Sequence, residues 1–396
     1  MIFTSFVDAA PGTGLQTEGW NPEVRKKLEL IIQEGAGKGL PVVFDLDETL
    51  LARDIADATF GILVRDKYLT KEKIPKVLSP ALNFKGSILS LDNATDLCEY
   101  GEWLLESTRH QEGDLSPNLC FFQWVVQIMA GLTCDQVIEA TAKAYDNGAG
   151  IEDESSYPGD KKIWITGQKT SYLRPFFRPQ MVELIGAFLE HGYDVWVISA
   201  TNVLMARWMA AKALNDLLRS QGYSKTVLPE HVIGIASLVQ DDKGILYKDY
   251  PLIKTDPGYL NMEKQALGRY TLTALMSPPI SGYSGKVAAM IERIGPTPYF
   301  GAGDSLSDHP FLKMCRHKLW IAKLEYPQLQ EAAIESISQT PAGSWLVQPV
   351  LTKKSPCMVP SLQHVNKALQ DDPLLKEAHR SIELLQKSKL LVLPIN

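Results

Sequence analysis

No apolar run in this sequence reaches the roughly 18 to 20 residues that a membrane-spanning helix requires. The opening stretch, MIFTSFVDAAPGTG, lacks the basic start and apolar centre of a secretory signal. The expectation is a cytoplasmic protein, or a periplasmic or secreted one if an upstream signal has been removed, with no membrane partner. Cysteine is scarce. Cys98, Cys120, Cys134, Cys315 and Cys357 are scattered and odd in number, form no C-x-x-C pair and have no histidine or second cysteine at ligand spacing. That pattern excludes a disulfide framework or zinc site and leaves buried thiols in a reducing compartment. There is also no excess of positive charge: the formal net charge is -6 and the pI about 5.7. Without a basic field, nucleic acid is not an expected partner. Internal repeats and low-complexity tracts are absent too.

What remains is a chain of 396 residues, 45% hydrophobic and 22% charged, long enough for two domains or one large one. Pro22 to Gly37 has helical spacing at Val24, Leu28, Leu30 and Ile31 and closes on glycines. PVVF (41–44) reads as a strand. From Asp54 to about Thr170 helical patterns such as ATFGILVRDKYL and CFFQWVVQIMAGL dominate. After the turn-rich IEDESSYPGDKK come the helix RPFFRPQMVELIGAFLEHG and the strand DVWVISATN. HVIGIASLVQ and GILYKDY, either side of Asp241 to Lys243, predict a β-hairpin that forms a short flap at a sheet edge. SGYSGKVAAMIERIG is a glycine-rich loop entering a helix, PTPYFGAGDSLSDHPFL a strand ending in acids, SWLVQPVL a last strand and DPLLKEAHRSIELLQKS an amphipathic helix. Strands alternating with helices in this way predict an α/β fold with a mainly parallel sheet.

Three of the predicted strands end in polar groups: Asp45 and Asp47 after the first, Ser199 after the second, Asp304 and Asp308 after the third. In an open parallel sheet those carboxyl ends face one crevice. Carboxylates gathered there repel one another unless a cation lies between them, and Mg²⁺ suits a few carboxylates, waters and a phosphate oxygen. Asp45 and Asp47, two apart on a strand ending, point the same way.

These residues resemble the haloacid dehalogenase superfamily. Asp45-Leu-Asp47-Glu48-Thr49 is similar to its D-x-D-x-T signature, Ser199 after VWVI to its second motif, Lys286 to its third and GDSLSD to its fourth. The resemblance implies a Rossmann-like three-layer α/β/α core, and it implies Asp45 as a nucleophile giving an aspartyl-phosphate. Asp47 would then be the general acid and base. Mg²⁺ would be held by Asp45, the Asp47 carbonyl and Asp304, with Asp308 supporting it. Ser199 would donate its hydroxyl to the phosphate, helped by the Ala200 and Thr201 amides. Thr201 is an alternative to Ser199, because the apolar run can be read two residues longer. Lys286 would neutralise phosphate and restrain Asp45 at a helix N-terminus. Thr49 would tie down the loop, and Glu48 would face solvent or the cap.

The roughly 150 residues between the first two motifs far exceed a plain crossover. Their position resembles the C1 cap, a helical lid, in the branch that holds phosphoserine and phosphorylcholine phosphatases. The expected division is a core of 1–52 and 180–360, a mostly helical cap of 53–179 and a helical extension of 361–396 packed on the core. Glu102, Trp103, Phe121 and Trp124 are candidates for substrate choice, since aromatic faces beside acids hold a quaternary ammonium. Phe121, Trp124 and Ile128 also recur at helical spacing, which favours cap core. Arg53, Arg65 and Arg109 are candidates for a substrate carboxylate, and His309 could touch the metal shell. The expected function is a Mg²⁺-dependent phosphomonoesterase acting on a small phosphorylated metabolite, such as phosphocholine or a phosphoserine-like compound. Phosphotransfer to an acceptor alcohol and an idle phosphate-ligand binding protein are the alternatives.

Overall fold

The computed structural model describes residues 14–84, 87–109, 121–146, 151–153, 161–164, 171–338, 345–353 and 356–395. Cys120, much of the turn-rich stretch after Ile151 and the side chain of Arg109 lie outside the described residues. The main sheet is built from β1 (Pro41–Phe44), β2 (Asp194–Asn202), β3 (Val232–Gln240), β4 (Leu246–Tyr247), β5 (Thr271–Ser277), β6 (Phe300–Gly303), β7 (His317–Lys323), β8 (Trp345–Leu351) and β9 (Cys357–Met358). Its central order is β3-β2-β1-β6-β7-β8, all parallel, while β4 and β5 on β3 and β9 on β8 are antiparallel. β1 is the hub. Val42, Val43 and Phe44 are fully buried on both faces, as an interior parallel strand requires.

Register carries the sequence to the site. Phe44 of β1 lies opposite Val197 of β2 on one side and Ala302 of β6 on the other. The next residues along all three strands therefore emerge together at the carboxyl edge. Behind them, Phe44, Phe188 and Phe300 pack with ring centroids 5.0 to 6.0 Å apart, anchoring helix α1 (Pro179–Glu190) to the sheet. The opposite face holds Trp320, Phe311 and Leu385, the last from the amphipathic C-terminal helix α2 (Leu374–Lys387). That helix buries Ala378, Ile382 and Leu385, one stripe at helical spacing, in this cluster.

The region between β1 and α1 contains the helices Ile55–Arg65, Leu97–Arg109, Phe121–Ile128 and Cys134–Asp146. It also contains β-structure that helical periodicity did not reveal: the hairpin Leu82–Phe84 with Ser87–Leu89, and a three-stranded sheet of Ile151–Asp153, Lys161–Trp164 and Ser171–Leu173. Leu51–Ala52 and Phe176–Phe177 pair antiparallel, so the chain enters and leaves this region through one two-stranded ribbon. A second tie lies at β5, a strand absent from the sequence reading. Leu272 exchanges backbone hydrogen bonds with Gly131 and Leu132, and the Cys134 amide donates to the Tyr270 carbonyl. The edge flap and the inserted region are thus joined through main-chain bonds. No helix among the described residues is long and apolar enough to cross a membrane.

Candidate active site

Past β1 the chain makes a wide turn, Leu46–Leu50, in which Glu48 takes φ 57°. Arg53, at φ 73°, is also left-handed, and the Glu48 amide donates to the Arg53 carbonyl at 3.3 Å. Two non-glycine residues in that region within six positions mark a backbone held by its surroundings.

Asp47 sits between three donors. Its Oδ1 accepts from the Ile55 amide at 2.9 Å. Its Oδ2 accepts from the Thr201 hydroxyl at 2.6 Å and the Ser199 hydroxyl at 3.1 Å. Residues 199 and 201 are two apart on β2 and so share a face; Ala200, between them, is half-buried. The choice between Ser199 and Thr201 is thereby recast, because both hydroxyls converge on the acid. Burial raises the Asp47 carboxyl to about 8, the nearby Asp54 pushes the same way, and the hydrogen bonds from Thr201, Ile55 and Ser199 oppose them.

The other three carboxylates form one cluster. Asp45, Asp304 and Asp308 are buried, and each offers an oxygen within 4.8 Å of the others. Lys286, 1% exposed, donates to Asp45 Oδ1 and to Asp308 Oδ1, both at 2.6 Å. Burial works against the charged amine, but Asp308 and Asp45 outweigh it and raise the Lys286 ammonium above the ordinary lysine range. Asp45 itself is raised by burial and by Asp308, with Lys286 resisting. Asp308 is lowered despite burial, held by Lys286 and by the Ser305 amide and hydroxyl at 3.0 and 2.8 Å. Two glycines make the arrangement possible. A Cβ on Gly303 would lie 2.6 Å from that of Asp308, and one on Gly285 would lie 1.7 Å from the Ile280 carbonyl oxygen.

Asp304 is held at both oxygens. Thr49, 255 residues away, donates its hydroxyl to Oδ1 at 2.9 Å. Lys323 reaches Oδ2 at 2.5 Å. Lys323 ends β7 in WIAK, which carries no motif; its only sequence signal is its place at a strand end that faces the crevice.

The residues fit a divalent cation on their donor chemistry. Three buried carboxylates share one small space with two lysines, Lys286 and Lys323, so the cluster is one positive charge short of neutral. Hard oxygen donors of this kind suit Mg²⁺.

Several sequence expectations need correction. Glu48 is not simply solvent-facing: its side chain is 27% exposed, with Oε2 3.5 Å from the guanidinium of Arg178, a residue 2% exposed at the end of the inserted region. His309 is neither exposed nor in the metal shell: it is buried, edge-on to Trp320 at 4.6 Å and beside Trp345 at 5.3 Å. Phe121 and Trp124, offered as substrate-reading aromatics, are packed into the inserted region's own core. Trp124 is 0% exposed, sits 5.8 Å from Phe60 and 5.6 Å from Tyr100, and donates its indole N–H to the Leu78 carbonyl. Their helical spacing already favoured this. Glu102 is exposed and Trp103 half-buried. Arg65 pairs with Asp66 at 2.8 Å, and Arg53 is buried near the entry ribbon with a bond to the Arg174 carbonyl.

No family model matches the chain. It is 25% identical over 228 residues to the phosphorylcholine phosphatase of Pseudomonas aeruginosa, a match covering 58% of this chain and 58% of that protein. Among solved structures it is similar to a conserved protein of unknown function from Anaerococcus prevotii, with a TM-score of 0.56 and 15% identity over 88% of this chain and 97% of that one. A HAD family hydrolase from Salmonella enterica serovar Typhi aligns at a TM-score of 0.38 and 13% identity, over 80% of this chain and 77% of that one.

Proposed function

We propose that this chain, a member of the haloacid dehalogenase superfamily by its four ordered motifs and its core topology, hydrolyses small phosphate monoesters through an aspartyl-phosphate on Asp45. The observation that carries the reading is the division of labour between two neighbouring acids. Asp45 belongs to the carboxylate cluster with Lys286, whereas Asp47 is set apart on the hydroxyls of β2. The Asp45 carboxylate attacks phosphorus, and the bond from phosphorus to the ester oxygen breaks. Asp47, protonated at neutral pH because burial and Asp54 raise it, gives its proton to the departing alkoxide. Now a carboxylate, it takes a proton from water, which attacks the aspartyl-phosphate and releases phosphate and free Asp45. Lys286 offsets negative charge beside the attacked phosphorus throughout.

Asp45 and Asp304, with the Asp47 carbonyl, would hold Mg²⁺, which supplies charge neutralisation for the phosphoryl oxygens; Asp308 supports them. The inserted region, residues 53–179, is read as the cap that selects the leaving group, since the core touches only the phosphate. The relative's name supports phosphocholine as the first substrate to try, beside phosphoethanolamine and phosphoserine. Purified protein should release phosphate from such a panel and from p-nitrophenyl phosphate, and EDTA should stop it. Full activity in Asp45→Asn protein would sink the covalent mechanism.

A further inference from the structure

We propose that Lys323 is a positioning residue that stands in for a cation at Asp304 and so sets how tightly the site takes a divalent metal. The inference rests on the metal reading above.

Lys323 is the last residue of β7, the parallel neighbour of the strand that delivers Asp304. Its ammonium meets Asp304 Oδ2 at 2.5 Å, with the lysine side chain only 17% exposed and the Asp304 side chain 4% exposed. The remaining ammonium of the cluster, on Lys286, is already divided between Asp45 and Asp308. Without Lys323, Asp304 would be a buried carboxylate beside two others, with one direct hydrogen-bond donor, the Thr49 hydroxyl, on its side chain and only the unbonded charge of buried Arg178 to offset it further. A buried charge in that position is strongly unfavourable.

A metal entering the cluster removes this need and meets the lysine as a like charge. Thr49 still holds Asp304 Oδ1, so the carboxylate keeps an anchor when the ammonium is relieved of its task. Glu48, whose charge also acts on Lys323, offers the ammonium a second acidic neighbour. Lys323 thus stabilises the metal-free protein and opposes the metal, and thermodynamic linkage equates the change in metal affinity with the difference between its stabilisation of the metal-free and the metal-bound protein. At the few-ångström separations of such a cluster, a unit charge facing a dication outweighs one hydrogen bond from Thr49.

The test uses metal-stripped full-length protein as wild type, Lys323→Gln, Lys323→Met and Lys323→Arg. Gln keeps a donor and loses the charge; Met loses both; Arg keeps both. Magnesium affinity is measured by calorimetry without substrate, and Tm is measured in EDTA and in saturating Mg²⁺. We expect Lys323→Gln and Lys323→Met to bind Mg²⁺ about tenfold or more tightly than wild type. Their loss of Tm should be large in EDTA and much smaller in Mg²⁺, with Lys323→Arg close to wild type. A merely structural lysine would lower Tm equally in both conditions and leave affinity unchanged, which overturns the inference. Weaker binding by the neutral variants overturns it too. If one neutral variant does not fold, the other decides. Wild type that neither binds Mg²⁺ nor gains Tm from it overturns the metal reading itself, and this inference with it.

Discussion

Replacing Thr201 by valine removes one hydroxyl from Asp47 and leaves the shape of the side chain almost unchanged. In the native site that hydroxyl is the shorter of the two on Asp47 Oδ2, at 2.6 Å against 3.1 Å for Ser199. It favours the ionised carboxylate, and it opposes burial and Asp54, which hold the acid up at about 8. A hydrogen bond to a charged group contributes roughly 1.5–3 kcal/mol. Since 1.36 kcal/mol corresponds to one pKa unit, its loss should raise Asp47 further, by about one unit once Ser199 has tightened to compensate. The assay is the pH profile of kcat/KM, which reports groups on the free enzyme. An alkyl phosphate is the proper substrate, because its poor leaving group needs the acid. The wild-type profile should fall as pH rises through about 8, where Asp47 loses its proton. In Thr201→Val the falling limb should move about one unit toward alkaline pH, whatever happens to the maximum rate. A limb that stays in place, or moves toward acid, would refute both the assignment of Asp47 as the acid and the role of the hydroxyl.

Two further outcomes follow from the same geometry. Asp47 binds its proton more tightly folded, at about 8, than unfolded at 3.8, so between those values the native state holds more protons and stability falls as pH rises. Asp47→Asn should therefore raise the Tm of metal-free protein, with a gain that widens from pH 6 to pH 8 and no phosphate release. An equal gain at both pH values would contradict the raised carboxyl. Trp124→Ala, in the packed core of the inserted region, should cost about 3–5 kcal/mol of stability in denaturant unfolding and leave KM for a phosphate ester little changed in the protein that remains folded. A selective rise in KM without loss of stability would return Trp124 to the substrate site.

Much of the core was legible because its signals are local. PVVF followed by acids, VWVI followed by a hydroxyl, and a glycine loop before Lys286 each announce a strand end or helix start within about ten residues. Parallel pairing then brings those ends together without further information. The inserted region was read less well. Its short hairpin and three-stranded sheet lack the period-two alternation that would distinguish them from loops, and β5 reads TLTALMS with only partial burial. Phe121 and Trp124 show a related difficulty: composition cannot tell a ring that lines a pocket from one that fills a core, and these two, unlike half-buried Trp103, are packed into a core.

The sequence by itself determined much of the chemistry available, namely which acids and hydroxyls stand at the ends of successive strands and that Lys286 stands at a helix start, because strand periodicity and turn residues are encoded over a few positions. Only the tertiary structure decided how those groups divide. Both β2 hydroxyls go to Asp47, Lys286 is shared by Asp45 and Asp308, Glu48 pairs with Arg178, and Lys323 takes Asp304. Each of these pairings joins residues from different strands or helices, and side-chain proton affinity follows burial and neighbouring charge. Both are properties of packing across the sheet that no local pattern records.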